Sequence, residues 1–138
     1  MSAGRSFLDS NVLVYMDDAR SPRKQQDAAR LVEKLHANGE GVVSVQVLQE
    51  YFSVTTRKLG VDATIARRRV ELFGEMHLVT PALDDILAAI DLHRLHQISF
   101  WDALIVRAAQ HGGCATLYSE DLQSGRRFSG LEIVNPFA

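Results

Sequence analysis

The sequence predicts an α/β fold in which a mostly parallel central sheet of about four to five short strands is flanked by helices on both faces. Short apolar runs alternate along the chain with longer segments whose apolar residues recur every three or four positions, as in strands followed by amphipathic helices. Because each helix returns the chain to the same edge of the sheet, the strands run parallel. The length of 138 residues fits one domain, and we expect residues 1–138 to form it.

The first strand is predicted to end at a cluster of polar residues. Residues 7–8 are an apolar strand candidate, residues 9–11 read Asp-Ser-Asn, and the apolar run 12–15 then begins a helix. Residues 21–22 are Ser-Pro, which predicts a helix start because serine caps a helix and proline suits its first position. Apolar residues follow at helical spacing until Asn-Gly at 38–39 ends the helix.

The middle of the chain predicts one strand and two helices. Residues 41–44 form a short apolar strand, and the terminal Ser44 can cap the helix that follows. This helix carries Glu50 and extends to Gly60. Asp62 is predicted to cap the next helix.

The last part of the chain predicts three strands, at residues 77–79, 115–118 and 131–134, and two helices. Thr80 followed by proline predicts the start of the first helix, and Ser99 is expected to cap the second. The buried stripe of the first helix is predicted to be Leu83, Ile86, Leu87, Ile90 and Leu95, and the second is predicted to turn Trp101, Leu104, Ile105 and Ala108 inward.

Composition argues against several classes of protein. Fifteen Lys and Arg residues against seventeen Asp and Glu residues give a formal charge of -2, so no global basic field attracts nucleic acid and a polyanion must be held locally. The single cysteine, Cys114, excludes an internal disulfide framework and is expected to be a buried structural thiol. No apolar run approaches the roughly 20 residues needed to span a bilayer, and residues 1–5 lack a secretory signal. We therefore expect a cytoplasmic protein with no membrane contact.

Four acidic residues from distant positions are predicted to converge at one edge of the sheet. In an open parallel sheet, ligands bind outside the carboxyl ends of the strands. Asp9 and Asp121 follow strands, and Glu50 and Asp102 lie early in helices that leave the same edge. Crowded carboxylates in a partly dry cleft take up protons or bind a cation, and hard oxygen ligands favour Mg²⁺ or Mn²⁺. We therefore predict a divalent metal site.

Each of these acids also has a purely structural interpretation. Asp9 can form a turn with the following backbone, Glu50 can be a solvated helix residue, and Asp102 can complete a helix cap with Ser99. Asp102 fits this interpretation least, because it is the only charge in an apolar run and a buried acid needs a partner. The acids at 84–85 open a helix after a proline and are interpreted as capping residues.

Asn11 and Ser119 are candidates for supporting the acids. Asn11 can orient an acid or a water, or it can cap the helix that follows. Ser119 can donate a hydrogen bond into the site or form a turn. The arginines at 67–69 and 126–127 can contact phosphates, although surface arginines are more often solvated.

Four sequence blocks resemble the PIN-domain ribonucleases, and more narrowly the VapC-type toxins of bacterial toxin-antitoxin pairs. The blocks are FLDSNVLVY at 7–15, SVQVLQE at 44–50, SFWDALIV at 99–106 and YSEDL at 118–122, with a closing IVNPF at 133–137. They occur in the order of the family and nearly span the chain. The family often has threonine where Ser10 and Ser119 stand, and serine keeps the hydroxyl.

The resemblance implies a single PIN-like domain and a Mg²⁺- or Mn²⁺-dependent endoribonuclease that hydrolyses phosphodiester bonds. It implies that Asp9 and Asp102 are the most direct metal ligands and that Glu50 and Asp121 complete the set. The implied partners are single-stranded or looped RNA, a small VapB-type antitoxin and a second copy in a homodimer. The implied role is a toxin that inhibits translation or growth.

Other functions remain as alternatives. Within the family, the chain can be a housekeeping PIN nuclease or a catalytically silent module that binds RNA or a partner. The aspartate-phosphorylating hydrolases need a second aspartate two residues after Asp9, where Asn11 stands. A phospho-accepting receiver domain needs an acceptor aspartate after the middle strand and a lysine after a late one, but Ser44 and Ser119 end these strands.

Overall fold

The computed structural model describes residues 4–138 and confirms an α/β fold built on one mostly parallel sheet. The described strands are β1 (Arg5–Leu8), β2 (Gly41–Ser44), β3 (His77–Val79), β4 (Cys114–Tyr118), β5 (Arg127–Phe128) and β6 (Leu131–Val134). They are ordered β3-β2-β1-β4-β6-β5, and only the β5 and β6 pair is antiparallel. The predicted strand count was low because β5 spans two residues, too few to show an alternating pattern.

The described helices lie between the strands as the sequence predicts. They are α1 (Ser10–Tyr15), α2 (Pro22–Asn38), α3 (Val45–Lys58), α4 (Ala63–Phe73), α5 (Leu83–His96) and α6 (Phe100–His111). Three predicted caps are observed: Ser44, Asp62 and Ser99 accept backbone hydrogen bonds at the starts of α3, α4 and α6. The side chain of Ser21 makes no capping bond, although α2 does begin at Pro22.

The core lies between the sheet and the helices that cover it. Strands β1 and β2 are buried along nearly their whole length, which is typical of a parallel sheet covered on both faces. Burial also raises the pKa of the Cys114 thiol to about 12, which fits a structural rather than a reactive cysteine. Core side chains include Phe7, Leu8, Val42, Val43, Leu117 and Ile133 from the strands and Val12, Leu13, Val47, Tyr51 and Val106 from the helices.

The start of α5 differs from the prediction. The helix begins at Leu83 with Ala82 at the cap position, so Thr80 does not cap it. The Asp85 carboxylate instead reaches back to the cap position and accepts a hydrogen bond from the Ala82 amide at 2.8 Å. Asp85 is thus a capping residue, as predicted.

The predicted buried stripe of α5 is wrong, because its five residues are 38–77% exposed. The inner face of α5 instead carries Asp85 and Ala89, which are buried against α6. The Asp85 carboxylate pairs there with Arg107 at 2.9 Å and with His111 at 2.8 Å. A buried ion pair and a small residue therefore define this contact, and the large apolar side chains face outward. Trp101 of α6 was also predicted to face inward, but it is 65% exposed.

Replacing Asp85 with alanine is expected to destabilise the fold. The change leaves Arg107 and His111 without their carboxylate and removes the acceptor of the Ala82 amide. Because the side chains of Arg107 and His111 are partly exposed, we expect the free energy of unfolding in urea to fall by about 2–3 kcal/mol. The matched control is Asp84→Ala at the exposed neighbouring position, with an expected change below about 0.5 kcal/mol. Equal losses in the two variants would contradict this account.

Within residues 4–138, none of the helices combines the length and the apolar character that crossing a bilayer requires. The prediction that residues 1–5 lack a secretory signal partly concerns residues 1–3, which lie outside the described part of the chain.

Candidate active site

The carboxyl ends of β1 and β4 lie side by side and bring two of the predicted acids to one edge of the sheet. Leu8 pairs with Tyr118 in the parallel ladder, and the amide of Asp9 donates to the Tyr118 carbonyl at 3.0 Å. Asp9 follows β1 and Ser119 follows β4, so these two residues lie next to each other. This is the edge at which open parallel sheets bind ligands.

Asp9 is buried and held by two hydrogen bonds. Its Oδ1 accepts from the Ser10 amide at 2.7 Å, and its Oδ2 accepts from the Ser119 hydroxyl at 2.8 Å. The first bond makes Asp9 the cap of α1, so the structural interpretation of this residue is observed. The second bond joins it to the loop after β4, so the same carboxylate is also fixed across the sheet edge.

The Asp9 carboxyl group is electrostatically strained. Burial raises its pKa from 3.8 to about 6, although the hydrogen bonds from Ser119 and Ser10 act in the opposite direction. The negative charges of Glu50 and Asp121 contribute to this rise. Three of the predicted acids therefore share one electrostatic environment.

Glu50 reaches the same site from the second turn of α3. Burial raises its pKa, the side chains of Ser10 and Gln46 oppose this, and the charges of Asp102 and Asp121 add to it. Its Oε1 is buried and has no hydrogen-bond partner among residues 4–138. A buried oxygen without a donor is costly, and a cation can satisfy it.

Asp102 and Asp121 form the more open side of the site. Asp102 lies in the first turn of α6, where its amide donates to the Ser99 hydroxyl at 3.0 Å, and its carboxylate is half-buried. Asp121 is exposed and its Oδ2 accepts from the Asn11 amide at 3.3 Å. Both aspartates line a cavity of about 290 Å³ that Arg126 also borders.

Asn11 and Ser119 connect the two loops that carry the acids. The Asn11 Oδ1 accepts from the Glu120 amide at 3.0 Å, and its Nδ2 donates to Ser119 Oγ at 3.3 Å. Ser119 Oγ donates to Asp9 and accepts from the amide of Asp121 at 3.2 Å. Ser119 therefore has both of its predicted roles: it forms a turn and it donates a hydrogen bond into the site.

The acids are gathered at one edge, but they do not form a closed coordination shell. In the part of the chain that the structure describes, no three Asp, Glu, His or Cys side chains stand ready to hold a metal ion. Whether the site fits a cation therefore depends on the chemistry of its donor atoms. These are the buried Asp9 carboxylate and the Glu50 oxygen that has no hydrogen-bond partner, and the negative charges of Asp102 and Asp121 lie close to them. Such oxygen donors match Mg²⁺ and Mn²⁺.

Glu120 belongs to a different cluster that sequence reasoning missed. Its carboxylate accepts from the Lys24 ammonium at 2.6 Å and from the Tyr15 hydroxyl at 2.7 Å. Lys24 neutralises the charge of Glu120. Glu120 therefore does not add to the negative charge of the four acids, although it precedes Asp121 in the sequence. These partners lie about a hundred residues apart in sequence, and no local signal could identify the pair.

Most of the candidate arginines are engaged elsewhere. Arg67 and Arg68 pair with Glu71 on their own helix, Arg69 pairs with Asp17, and Arg127 pairs with Glu132. Arg126 instead borders the cavity of Asp102 and Asp121, where its Nη2 donates to the His96 carbonyl at 3.0 Å.

The chain shares its fold with proteins of known structure. No curated protein matches the chain in sequence. A toxin-antitoxin complex from Klebsiella pneumoniae has a similar fold, with 17% identity and a TM-score of 0.70 over 95% of this chain and 97% of that chain. The sarcin-ricin loop cleaving toxin VapC20 from Mycobacterium tuberculosis is also similar, with 20% identity and a TM-score of 0.62 over 84% of this chain and 91% of that chain. The PIN domain family matches residues 6–127, which is most of the chain, and the chain therefore belongs to the PIN domain family.

Proposed function

We propose that this protein is a divalent metal-dependent endoribonuclease and the toxin of a toxin-antitoxin pair. The observation that carries the proposal is a buried carboxylate, Asp9, at the carboxyl end of β1, close enough to Glu50 and Asp121 for their charges to raise its pKa. Membership of the PIN domain family supports a nuclease, and the two similar structures are both toxins or toxin complexes.

Four residues are proposed to hold Mg²⁺ or Mn²⁺: Asp9 and Asp102 most directly, with Glu50 and Asp121 completing the set directly or through water. A bound divalent ion supplies charge neutralisation at the phosphate and lowers the pKa of a coordinated water. The protein's own contribution is positioning. Ser119 fixes one oxygen of Asp9, and Asn11 on α1 holds Asp121 of the loop after β4.

The proposed RNA is single-stranded or looped, because a cleft reaches a splayed backbone more easily than a stiff helix. The cluster of acids repels RNA at long range, so binding needs the metal and local cations. Arg126 is the nearest candidate, because it borders the cavity of Asp102 and Asp121. Productive binding should therefore weaken as salt is added.

An antitoxin and a second copy of the chain are the proposed protein partners. A VapB-type antitoxin would cover the acidic cleft and offer a cation to its carboxylates. The exposed apolar face of α5, with Leu87 at 49% exposure and Leu95 at 77%, supports a homodimer because large apolar patches on a surface usually mark an interface.

The test is RNA cleavage by purified protein that has been separated from any co-expressed partner. We expect cleavage in Mg²⁺ or Mn²⁺ and none in excess chelator, because four carboxylates cannot by themselves neutralise a phosphate. Gel analysis of a total RNA digest, with and without the chelator, measures the effect, and restoring the metal is the control. Undiminished cleavage in chelator would falsify the metal mechanism.

A further inference from the structure

The chain's single tryptophan is exposed beside the acidic site. Trp101 directly precedes Asp102 in the first turn of α6, and it is 65% exposed. Its ring packs edge to face against Phe100, with the ring centroids 5.4 Å apart, which orients the indole. Trp101 and Asp102 thus share the first turn of α6, at the edge of the sheet that carries the acids.

A cavity of about 320 Å³ opens next to Trp101, at the carboxyl ends of β2 and β3. This volume lies at the lower end of the roughly 300–1,000 Å³ typical of small-molecule pockets. Its walls are mostly apolar, with Val45 and Leu104 among them, and the amides of Gln46 and Gln49 supply hydrogen-bonding groups. The Gln46 amide also donates to the Trp101 carbonyl at 3.4 Å, which links α3 to the start of α6.

The ion pair of Arg107 and Asp85 borders the same cavity, and both side chains line it. The Nε of Arg107 donates to the buried Asp85 carboxylate at 2.9 Å, and His111 shares that carboxylate. Among residues 4–138, this is the only hydrogen bond that the Arg107 guanidinium makes to a side chain. Its terminal amino groups are thus available to an anion or to the acceptor atoms of a base.

We propose that this cavity binds one unpaired base of the RNA substrate, adjacent to the phosphodiester bond that the acidic site cuts. The inference rests on the ribonuclease activity proposed above. Trp101 stacks on the base, the amides of Gln46 and Gln49 hydrogen-bond to its edge, and Arg107 binds the neighbouring phosphate. Trp101 is then a residue that selects and positions the substrate, rather than a catalytic residue.

Binding can be read from Trp101 itself, because no other tryptophan contributes to the fluorescence. Short single-stranded oligoadenylate and oligouridylate are added to the Asp102→Asn protein in Mg²⁺, and anisotropy of fluorescein-labelled copies of the same RNAs measures total binding. We expect saturable quenching of Trp101, unequal for the two RNAs and weakened by Gln46→Ala. Ile65→Ala, an exposed apolar change on α4, serves as the control and leaves the quenching unchanged.

Cleavage by the otherwise native protein gives a second, independent readout. Trp101→Leu removes the aromatic face and is expected to lower kcat/KM by about tenfold and to flatten the base preference next to the cut. Trp101→Phe keeps an aromatic face and is expected to stay within about threefold of the native protein with its preference intact. A merely structural role of Trp101 would change the melting temperature of these variants without changing the base preference.

The outcomes separate this inference from the proposed function. RNA that is bound and cut without quenching, or an unchanged base preference in Trp101→Leu, overturns the base site and leaves the ribonuclease intact. A blue shift of the fluorescence with protein concentration, together with no quenching by RNA, shows that a second copy covers Trp101 and also overturns the inference. RNA that is neither bound nor cut by the native protein overturns both proposals.

Discussion

Replacing Asp102 with asparagine is expected to lower RNA cleavage by at least about 100-fold and to leave the fold intact. The change keeps the shape of the side chain and the Ser99 hydrogen bond, which the backbone amide of residue 102 makes. It removes one negative oxygen from the proposed metal site, where charge stabilisation is worth several kcal/mol. Initial cleavage rates and circular dichroism of the two proteins measure activity and folding separately.

The matched control is Asp91→Asn, which neutralises an exposed acid on α5 and is expected to leave cleavage unchanged. The same pair of variants tests the cellular role. Expression of the native protein is expected to arrest growth, and Asp102→Asn is expected to relieve the arrest. Cleavage without growth arrest would favour a housekeeping nuclease, and cleavage by Asp102→Asn at the native rate would contradict the assignment of this residue.

The position of the acidic residues could be predicted because it follows from topology. Once Asp9 and Asp121 are placed after strands of a parallel sheet, the geometry of the sheet brings them to one edge. The helix starts at Ser44 and Ser99 then fix where Glu50 and Asp102 leave that edge. These predictions use only the strand ends, the serine caps and the rule that parallel sheets bind ligands at their carboxyl edge. They require no knowledge of long-range contacts.

The inner face of α5 could not be predicted in the same way. Helical spacing shows that Leu83, Leu87 and Ile90 share a face, but it does not show which face meets the neighbouring helix. The decision depends on Asp85, whose partner Arg107 lies 22 residues away on α6. Such pairings have no sequence pattern. The same holds for Trp101, whose apolar character predicted burial, although it lies exposed beside the site.

The site carries a cost in stability, because like charges are held together in a partly dry cleft. Burial and the neighbouring acids raise the pKa of Asp9, and the pKa of Glu50 is raised for the same reasons. A chain selected only for stability would place neutral side chains here. Neutralising one of these two carboxyl groups is therefore expected to make the metal-free fold more stable.

Asp9→Asn is accordingly expected to abolish cleavage and to stabilise the metal-free protein at pH 7. Ionising a carboxyl group whose pKa is raised from 3.8 to about 6 costs the folded state about 3 kcal/mol. Asparagine removes this cost but gives Ser119 a poorer hydrogen-bond acceptor, so we expect a net gain of about 1–2 kcal/mol in the free energy of unfolding. Urea unfolding in the presence of chelator measures it. Added Mn²⁺ should raise the melting temperature of the native protein much more than that of the variant.

The pH dependence of the free energy of unfolding tests the same prediction independently. Between about pH 4 and pH 6 the folded native protein holds a proton on Asp9 that the unfolded chain has lost, so stability falls as pH rises through this window and the loss is complete above pH 6. Asp9→Asn should remove the part of this slope that Asp9 contributes, leaving the part due to Glu50. The control is Asp91→Asn, since Asp91 is exposed on α5, is not one of the four clustered acids, and its neutralisation should not stabilise the fold. An Asp9→Asn protein that is less stable than the native one at pH 7, with an unchanged slope below pH 6, would show that the Asp9 charge is well accommodated without a cation.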